Sequence, residues 1–425
     1  MLRLLAIAFV WLGCAVAWMI LGSTVVVRTN SVSDALDSEV HALWGPPARQ
    51  LPPSGSYPTV ETVKELVTTT NAAGVANQQT VEKQTRVEHP LEFDGSDIDV
   101  AFELTHRRKG LLWFPTYAVH FRGTYAFVNP TDHAQDGTLR LPLGTEGSSP
   151  VSFDDFQVTD EQGTPVRHTV DHGVATWTTR FEPHARHEYH VAYRSRGTST
   201  WSYLLTAGNS EVRNFRMNMT TNFANVDFPA GSTSPSQHSV QNGHWRGEWR
   251  FKSLVSGAPI GVEMPKLLNP GPLASKVTFF APVSLLFFFF VVAILALVRK
   301  RELHPMHYLL LGCAFFAFHL LFAYLVDHLA IGTSFAIASL VSIVLVVTYA
   351  RLFVGWRFAL VEMGLSQLIY LVLFSLTFFW EGYTGLAITI GAVVTLFLVM
   401  QITGRFDFRS LRSIKPAFNS AGHGY

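Results

Sequence analysis

The hydrophobic residues of the chain are concentrated in six long runs, one near its start and five after residue 276. A helix needs about 20 apolar residues to cross a bilayer, and each run reaches that length. The region between the first two runs is polar and charged. The pattern predicts six transmembrane helices: Leu4–Val27, Phe279–Val298, His307–Val326, Ala330–Ala350, Phe358–Trp380 and Thr384–Thr403.

The first run could also be a cleaved signal peptide, because Ala15-Val16-Ala17 fits an A-x-A cleavage site. The run continues for ten residues beyond Ala17, however, and this length favours an uncleaved anchor. Ser31–Trp44 follows with apolar residues at helical spacing, with Ser33 available as a cap and Gly45-Pro46-Pro47 as a stop. We expect a juxtamembrane helix that extends the anchor, then a linker over Gln50–Pro58.

Charged residues are sorted between the two ends of the predicted spans. Basic residues follow the second, fourth and sixth spans, whereas the alternate connections carry only Asp327-His328 and Glu381. Because basic residues stay on the cytoplasmic side, both termini are expected in the cytoplasm and residues 28–276 outside it. The basic residues concerned are Arg299, Lys300, Arg301, Arg351, Arg357, Arg405, Arg409, Arg412 and Lys415.

Within the polar region, the hydrophobic period changes from helical spacing to two. Ile98, Val100, Phe102 and Leu104 alternate with polar neighbours, and later runs show the same pattern between Gly- and Pro-containing turns. Short alternating strands at this spacing predict an all-β, antiparallel, sandwich-like domain. Arg180–Gly197 has the pattern of a hairpin, whereas residues 59–90 fit either strands or a polar helix.

The predicted fold class is therefore an integral membrane α-helical bundle of six spans plus an extracytoplasmic all-β sandwich-like domain. Its parts are an anchor (1–28), a juxtamembrane helix and linker (29–58), the β-rich domain (59–276), a five-span bundle (277–405) and a cytoplasmic tail (406–425). Whether the β region forms one lobe or two stays open, since Trp201–Pro265 has enough strand signals for a second lobe.

Composition and charge narrow the function classes. The formal net charge is only +1, which does not indicate nucleic-acid binding. The two cysteines, Cys14 and Cys313, lie inside apolar runs, so the β domain must fold around a hydrophobic core without disulfides. No phosphate-binding loop, dinucleotide fingerprint or nucleophile elbow is present. We expect no cofactor and no nucleic-acid partner.

Histidines of the β domain suggest a metal site, which their spacing does not favour. His184, His187 and His190 follow an H-x-x-H-x-x-H pattern in a predicted strand. Period two sends His187 to the face opposite the other two, so the three cannot share one ion. We expect solvated side chains and no metal. His106-Arg107-Arg108-Lys109 is a basic cluster that suits either anionic lipid or a solvated turn.

Polar residues inside the spans are costly in lipid and are therefore candidate functional residues. Glu362 is the only acidic residue within a span, and Ser366 and Tyr370 follow it at i+4 and i+8. Ser339 and Ser342 could oppose this stripe, and Gln401 is expected at a similar depth. The alternatives are a proton or substrate path and a structural set of hydrogen bonds in which Glu362 approaches Arg351 or Arg357.

A third possibility is an intramembrane enzyme. His319 lies deep in the third span, and Asp327-His328 follows at its outer end, where the pair could do acid–base work. Residues at helix ends are more often simply solvated, so this hypothesis ranks below the other two.

Four short segments resemble the CreD-like inner-membrane proteins. Leu43-Trp44-Gly45-Pro46 follows the first span, and Leu303-His304-Pro305-Met306-His307-Tyr308 opens the third. Asp327-His328 closes the third span, and Glu381-Gly382-Tyr383 precedes the last, which ends Gly404-Arg405-Phe406-Asp407. The resemblance implies a bacterial inner membrane, a periplasmic domain and a role in cell-envelope integrity, but no catalytic or binding residue.

The sequence thus favours a non-enzymatic inner-membrane protein with a periplasmic β domain that acts in envelope integrity or the stress response. The alternative is a small transporter or lipid-handling protein that uses the polar stripe around Glu362. The expected partners are membrane lipid and, as a further possibility, another envelope protein or a periplasmic ligand.

Overall fold

The computed structural model describes residues 2–70, 76–110, 112–144, 151–205, 211–299, 301, 303–380 and 382–404. The chain divides into two compact units. The helix unit contains Met1–Asp34 and Leu268–Tyr425, and the β unit contains Ala35–Leu267. The predicted tail, Lys300, Glu381 and the basic residues from Arg405 onward lie outside the described residues.

Six helices among the described residues are long and apolar enough to cross a membrane, as predicted. They are α1 (Leu2–Trp44), α2 (Pro270–Val298), α3 (Pro305–Leu325), α4 (Ile331–Val354), α5 (Trp356–Phe379) and α6 (Thr384–Gly404).

Helix α1 runs without a break through both the predicted anchor and the predicted juxtamembrane helix. No glycine or proline lies between Gly22 and Gly45, so nothing interrupts its backbone hydrogen bonds, and Ser33 caps no new helix. The predicted stop is confirmed. Gly45 has φ +91°, and a Cβ there would lie 2.7 Å from the carbonyl oxygen of Arg196, so only glycine fits.

Helix α3 begins two residues before the predicted span, at Pro305. Pro305 is the first helical residue, where its missing N–H costs no hydrogen bond. The Nδ1 atom of His304 accepts a hydrogen bond from the backbone N–H of Met306 at 3.2 Å. The side chain of His304 thus satisfies one of the free donors at the helix start.

The β unit contains three sheets. Their strands are β1 (Ala48–Gln50), β2 (Ser54–Thr70), β3 (Ala76–Pro90), β4 (Glu92–Lys109), β5 (Leu112–Val128), β6 (Gln135–Pro142), β7 (Phe153–Asp160), β8 (Thr169–Asp171), β9 (Val174–Phe181), β10 (Arg186–Thr198), β11 (Thr200–Tyr203), β12 (Val212–Thr221), β13 (Gln237–Gln241), β14 (His244–Leu254) and β15 (Ile260–Glu263).

The strands form a seven-stranded sheet of order β13-β14-β12-β4-β5-β10-β7, a five-stranded sheet of order β3-β2-β6-β9-β8 and a three-stranded sheet of order β1-β11-β15. The prediction of purely antiparallel pairing was wrong, because β4 pairs with β12 and β1 with β11 in parallel. Alternation of polar and apolar residues is the same in both kinds of pair, so the sequence pattern could not separate them.

Three local expectations in the β unit are resolved. The predicted linker Gln50–Pro58 was wrong for most of its length, since only residues 51–53 lie between β1 and β2. Residues 59–70 and 76–90 belong to the strands β2 and β3, not to a polar helix. The hairpin expected over Arg180–Gly197 was also wrong, because β9 lies in the five-stranded sheet and β10 in the seven-stranded sheet.

The predicted alternation is confirmed where it is strongest. Ile98, Val100 and Phe102 of β4 are buried, whereas Asp97 and Asp99 on either side of Ile98 are exposed. Buried side chains from all three sheets join one hydrophobic cluster, which includes Leu139, Trp177, Tyr203, Met217 and Trp249. This cluster is the core that a domain without disulfides needs.

Tyrosines form the polar part of that core. The hydroxyl of Tyr193 donates a hydrogen bond to Oε1 of Gln50 at 2.7 Å, and Nε2 of Gln50 donates to the carbonyls of Leu51 and Pro142. Burial raises the pKa values of Tyr193 and Tyr203 well above their usual range. These phenols therefore stay neutral while the β unit is folded.

The last turns of α1 pack on the end of the β4–β5 hairpin within the β unit. Leu36 and Val40 contact Leu112 and Phe114 in a small hydrophobic cluster. The predicted basic cluster takes part in this packing as well: the guanidinium of Arg107 lies 3.6 Å from the centre of the Trp44 ring. Two further contacts complete this packing. Nζ of Lys109 lies 2.7 Å from Oε2 of Glu39, and Nε2 of His106 lies 2.8 Å from the carbonyl oxygen of Pro265.

Candidate functional site in the membrane helices

Helix α5 departs from regular α-helical geometry along most of its length. Ala359–Met363 and Leu368–Leu373 are π-helical, and Thr377–Phe379 forms a 3₁₀ turn. π-Helical turns are rare and occur often at functional sites, because they leave backbone groups without their usual partners. The predicted polar stripe lies on this helix, so its side chains define the candidate site.

Glu362 lies in the first π-helical segment and forms an ion pair with Arg299. Oε1 of Glu362 is 2.9 Å from Nη2 of Arg299, and the side chains are 14% and 62% exposed, respectively. The expectation that Glu362 approaches Arg351 or Arg357 was wrong. Both are close to Glu362 along the chain, but the end of α2 packs beside the start of α5, and the sequence does not reveal that neighbour.

A second polar contact joins three helices. Nε2 of Gln367 donates a hydrogen bond to Oγ of Ser342 at 2.8 Å, and Ser342 donates to the carbonyl of Ala314 at 2.8 Å. Ser342 was expected to face the stripe, but Gln367 was missed. An amide in an otherwise apolar span was the available signal. Gln367 is fully buried, and its Oε1 atom has no hydrogen-bond partner among the described residues.

Tyr370 belongs to the second π-helical segment and bonds to two neighbouring helices. Its hydroxyl lies 2.9 Å from Oγ1 of Thr395 in α6. Its backbone carbonyl accepts a hydrogen bond from Ser284 in α2. A π-helical turn frees carbonyl groups, so Ser284 satisfies a group that a regular helix would satisfy itself. Ser366, the middle residue of the predicted stripe, is buried.

The other candidate residues do not join Glu362. His319 is buried in α3, and its Nδ1 atom lies 3.0 Å from the carbonyl oxygen of Phe315. Because a carbonyl only accepts, Nδ1 carries the proton. Its ring meets that of Trp18 edge-on at 5.5 Å. His328 and Gln401 are exposed.

Asp327 lies beyond the end of α3 and pairs with α1. Its Oδ2 atom is 2.9 Å from Nη1 of Arg28, and Nη2 of Arg28 donates to the carbonyl of Ala323 at 3.1 Å. Carbonyl groups in the last turn of a helix lack partners within the helix, so Arg28 satisfies one of them. This geometry gives Asp327 a role in joining α1 to α3.

Four glycines of the membrane helices divide into two groups by what surrounds them. A Cβ on Gly312 would lie 2.9 Å from Sγ of Cys14, and one on Gly364 would lie 3.2 Å from Val347. A Cβ on Gly385 or Gly391 would have no other atom within 4 Å, since α6 is mostly exposed. Gly312 and Gly364 therefore permit close contact between α1 and α3 and between α4 and α5, respectively.

The β unit adds surface features outside the helices. Two clefts of about 550 Å³ each lie on either side of β13 and share Trp245. Burial raises the pKa of Asp97, and the guanidinium of Arg216, 3.9 Å away, opposes that rise. His184 pairs with Asp132 at 2.8 Å. No group of three or more His, Cys, Asp or Glu in the described part of the chain could hold a metal ion.

Comparison with known proteins identifies the family. The family model described as inner membrane protein CreD matches residues 1–409. The chain belongs to the CreD family. It is therefore a multi-pass inner-membrane protein with six apolar helices and a sheet-rich unit, as the four short segments implied. No curated protein matches the chain.

Solved structures add little to the family assignment. A candidate nutrient binding protein from Legionella pneumophila is 13% identical with a TM-score of 0.32, over 47% of this chain and 71% of its own. An M1 zinc metallopeptidase from Deinococcus radiodurans is 13% identical with a TM-score of 0.26, over 41% of this chain and 42% of its own. At these scores neither likeness carries an argument about this CreD-family chain.

Proposed function

We propose that this protein is a non-enzymatic inner-membrane protein whose β unit acts in the periplasm to maintain the cell envelope. The observation that carries the proposal is the bonding of the candidate polar residues. Glu362, Gln367, Tyr370 and Asp327 each bond to a neighbouring helix instead of converging on one cleft. Such contacts stabilise a helix bundle. The large β unit is then the part that offers surface to other molecules.

The positions of charged residues support the periplasmic location of the β unit. Arg299 and Arg301 follow α2, and Arg351 and Arg357 flank the junction of α4 and α5. Arg28 and Asp327 pair at the opposite helix ends. Basic residues are retained in the cytoplasm, so both termini belong there and the β unit belongs outside.

The sandwich architecture is part of the same proposal. The five-stranded and seven-stranded sheets each contribute one row of side chains to a shared core, for example Leu139 of β6 and Phe121 of β5. Two sheets that share one core by alternate residues are the basis of a β-sandwich.

The location can be tested with single cysteines in a chain that lacks Cys14 and Cys313. Ser256→Cys lies in the β unit, and Arg301→Cys lies between α2 and α3. A membrane-impermeant maleimide should label Ser256→Cys but not Arg301→Cys in cells with a permeabilised outer membrane. Inverted vesicles should give the opposite result. Labelling of Arg301→Cys from the periplasm would refute the proposed orientation.

The role can be tested by complementation of an envelope-stress phenotype in a deletion strain. We would compare the full chain with a truncated chain of residues 1–276, whose presence and folding are checked by protease resistance. Rescue by the truncated chain would support a function in the β unit. A reproducible catalytic activity that one point mutation abolishes would refute the non-enzymatic part.

The second candidate function is that of a small transporter or lipid-handling protein. The two π-helical segments of α5 and the unpartnered Oε1 of Gln367 favour it. Glu362→Gln distinguishes the two functions, because it removes the proton-binding group but keeps the shape. Lost complementation with normal protein levels would favour transport. Retained complementation would support the structural role of the Arg299–Glu362 pair.

A further inference from the structure

The β2–β3 hairpin extends away from its sheet as a two-stranded ribbon. Its base pairs with β6 only through Ser54–Ser56, whereas β2 and β3 stay paired from Ser56–Pro90 to Thr70–Ala76. At about 3.4 Å per residue the ribbon is roughly 45 Å long. Isolated two-stranded hairpins are at best marginally stable in water, so a ribbon of this length needs further contacts.

The surface of the ribbon is suited to such contacts. Val60 and Leu66 lie on one face and are 67% and 60% exposed, and Val63 on the other face is 47% exposed. Among the described strands, β3 pairs only with β2, so its outer edge is open. Exposed edges are usually protected by charged side chains, bulges or proline, and of these β3 has charged side chains along its middle. The β2–β3 register has no bulge, and the only proline of β3 is its last residue, Pro90.

The charges of β3 identify an occupant for this edge. When two copies of a strand pair in antiparallel fashion about a two-fold axis, residues equally distant from the axis lie opposite each other on the same face. A two-fold axis at Gln84 places Glu82 of each copy opposite Arg86 of the other copy, so two such pairs form. An axis at Glu82 or Lys83 would instead place that residue's charge opposite itself.

Within one copy, both members of the proposed pair already have a charged neighbour on the same face: Nε of Arg86 is 3.3 Å from Oε1 of Glu88, and Glu82 pairs with Lys64. Lys64 lies opposite Glu82 across the hairpin, with Nζ 3.7 Å from Oε1. Pairing about Gln84 would extend this contact into a row of alternating charge: Lys64, Glu82 and Arg86 of the second copy. We infer that β3 is a pairing edge for a second copy of this chain, which joins two five-stranded sheets through an antiparallel β3–β3 contact centred on Gln84.

Disulfide formation in membranes tests the contact on the full chain. In a chain without Cys14 and Cys313, Gln84→Cys would meet its own copy at a Cα–Cα distance of about 5 Å, within reach of a disulfide. Thr80→Cys is the matched control, because its two copies would be roughly 27 Å apart. We expect about tenfold more disulfide dimer from Gln84→Cys. Equal yields, no dimer, or a Gln84→Cys disulfide to a different protein would overturn the inference.

Charge reversal tests the register in the Gln84→Cys chain. Glu82→Arg places like charges opposite each other twice, so the dimer yield should fall about tenfold. Lys64→Glu with Glu82→Arg restores the pair within the hairpin but not the pair between copies, so the yield should stay low. Glu82→Arg with Arg86→Glu restores both pairs between copies, and the yield should recover. The inference is wrong if the Lys64 double variant recovers and the Arg86 double variant does not.

Discussion

The Arg299–Glu362 ion pair predicts an asymmetry between its two members. Arg299→Gln leaves a carboxylate that is 14% exposed without its partner, whereas Glu362→Gln leaves a guanidinium that is 62% exposed. Removing the partner of a nearly buried charge is costly, so Arg299→Gln is the more destabilising change. Water near the exposed Arg299 already screens the pair, so we expect a cost of roughly 1–2 kcal/mol. Glu362→Gln should cost less than about 0.5 kcal/mol.

The assay is denaturant or thermal unfolding of the full chain in one detergent, with both single variants and the Arg299→Gln/Glu362→Gln double variant. The double variant should resemble Glu362→Gln, because the carboxylate that needs a partner is gone. Arg351→Gln is the matched control and should have little effect, since Arg351 does not pair with Glu362. Equal losses for the two single variants, or a larger loss for Glu362→Gln, would refute the reasoning.

Three further predictions concern other aromatic and polar side chains. Trp44→Leu should destabilise the β unit by about 1 kcal/mol, because it removes the ring beneath Arg107, and Trp44→Phe should lose less; equal losses in denaturant unfolding would contradict this. The β unit should lose stability above about pH 10, because phenols ionise there in the unfolded chain but buried Tyr193 and Tyr203 do not ionise in the folded one. The free energy of unfolding should fall by up to about 1.4 kcal/mol per pH unit for each of these two tyrosines. A free energy of unfolding that does not fall as the pH rises through about 10 would contradict this. Gln367→Met should change stability by less than about 1 kcal/mol, because it loses one hydrogen bond but also removes an unpartnered oxygen; a much larger loss in thermal unfolding would mean that Oε1 has a partner in the membrane.

Hydrophobic pattern was sufficient for the membrane helices and for the strand β4, but it left residues 59–90 open between strands and a polar helix. Six apolar runs predicted six helices because a bilayer demands about 20 apolar residues in every span, whatever the span contacts. Alternation at Ile98, Val100 and Phe102 predicted a strand with one buried face because the side-chain period of a strand is fixed by its backbone. Gly45 marked the end of α1 because its backbone conformation excludes other residues.

The sequence did not predict which strands, helices and side chains are neighbours in the fold. Hydrophobic alternation does not encode which strands are neighbours, so the parallel β4–β12 pair and the separation of β9 from β10 into different sheets were not foreseen. The same holds for side chains. Arg351 and Arg357 are nearer to Glu362 along the chain, but Arg299 is its partner, because α2 packs against α5.

The candidate site depended on both the residue types in the sequence and the tertiary structure. Residue type determined that Glu362, Ser342 and Tyr370 would need polar partners, since lipid offers none. Tertiary structure decided the partners: Ser342 accepts a hydrogen bond from Gln367, which is not a member of the predicted stripe. Local composition therefore determined where polar groups occur along the chain, and helix packing alone decided which of them bond.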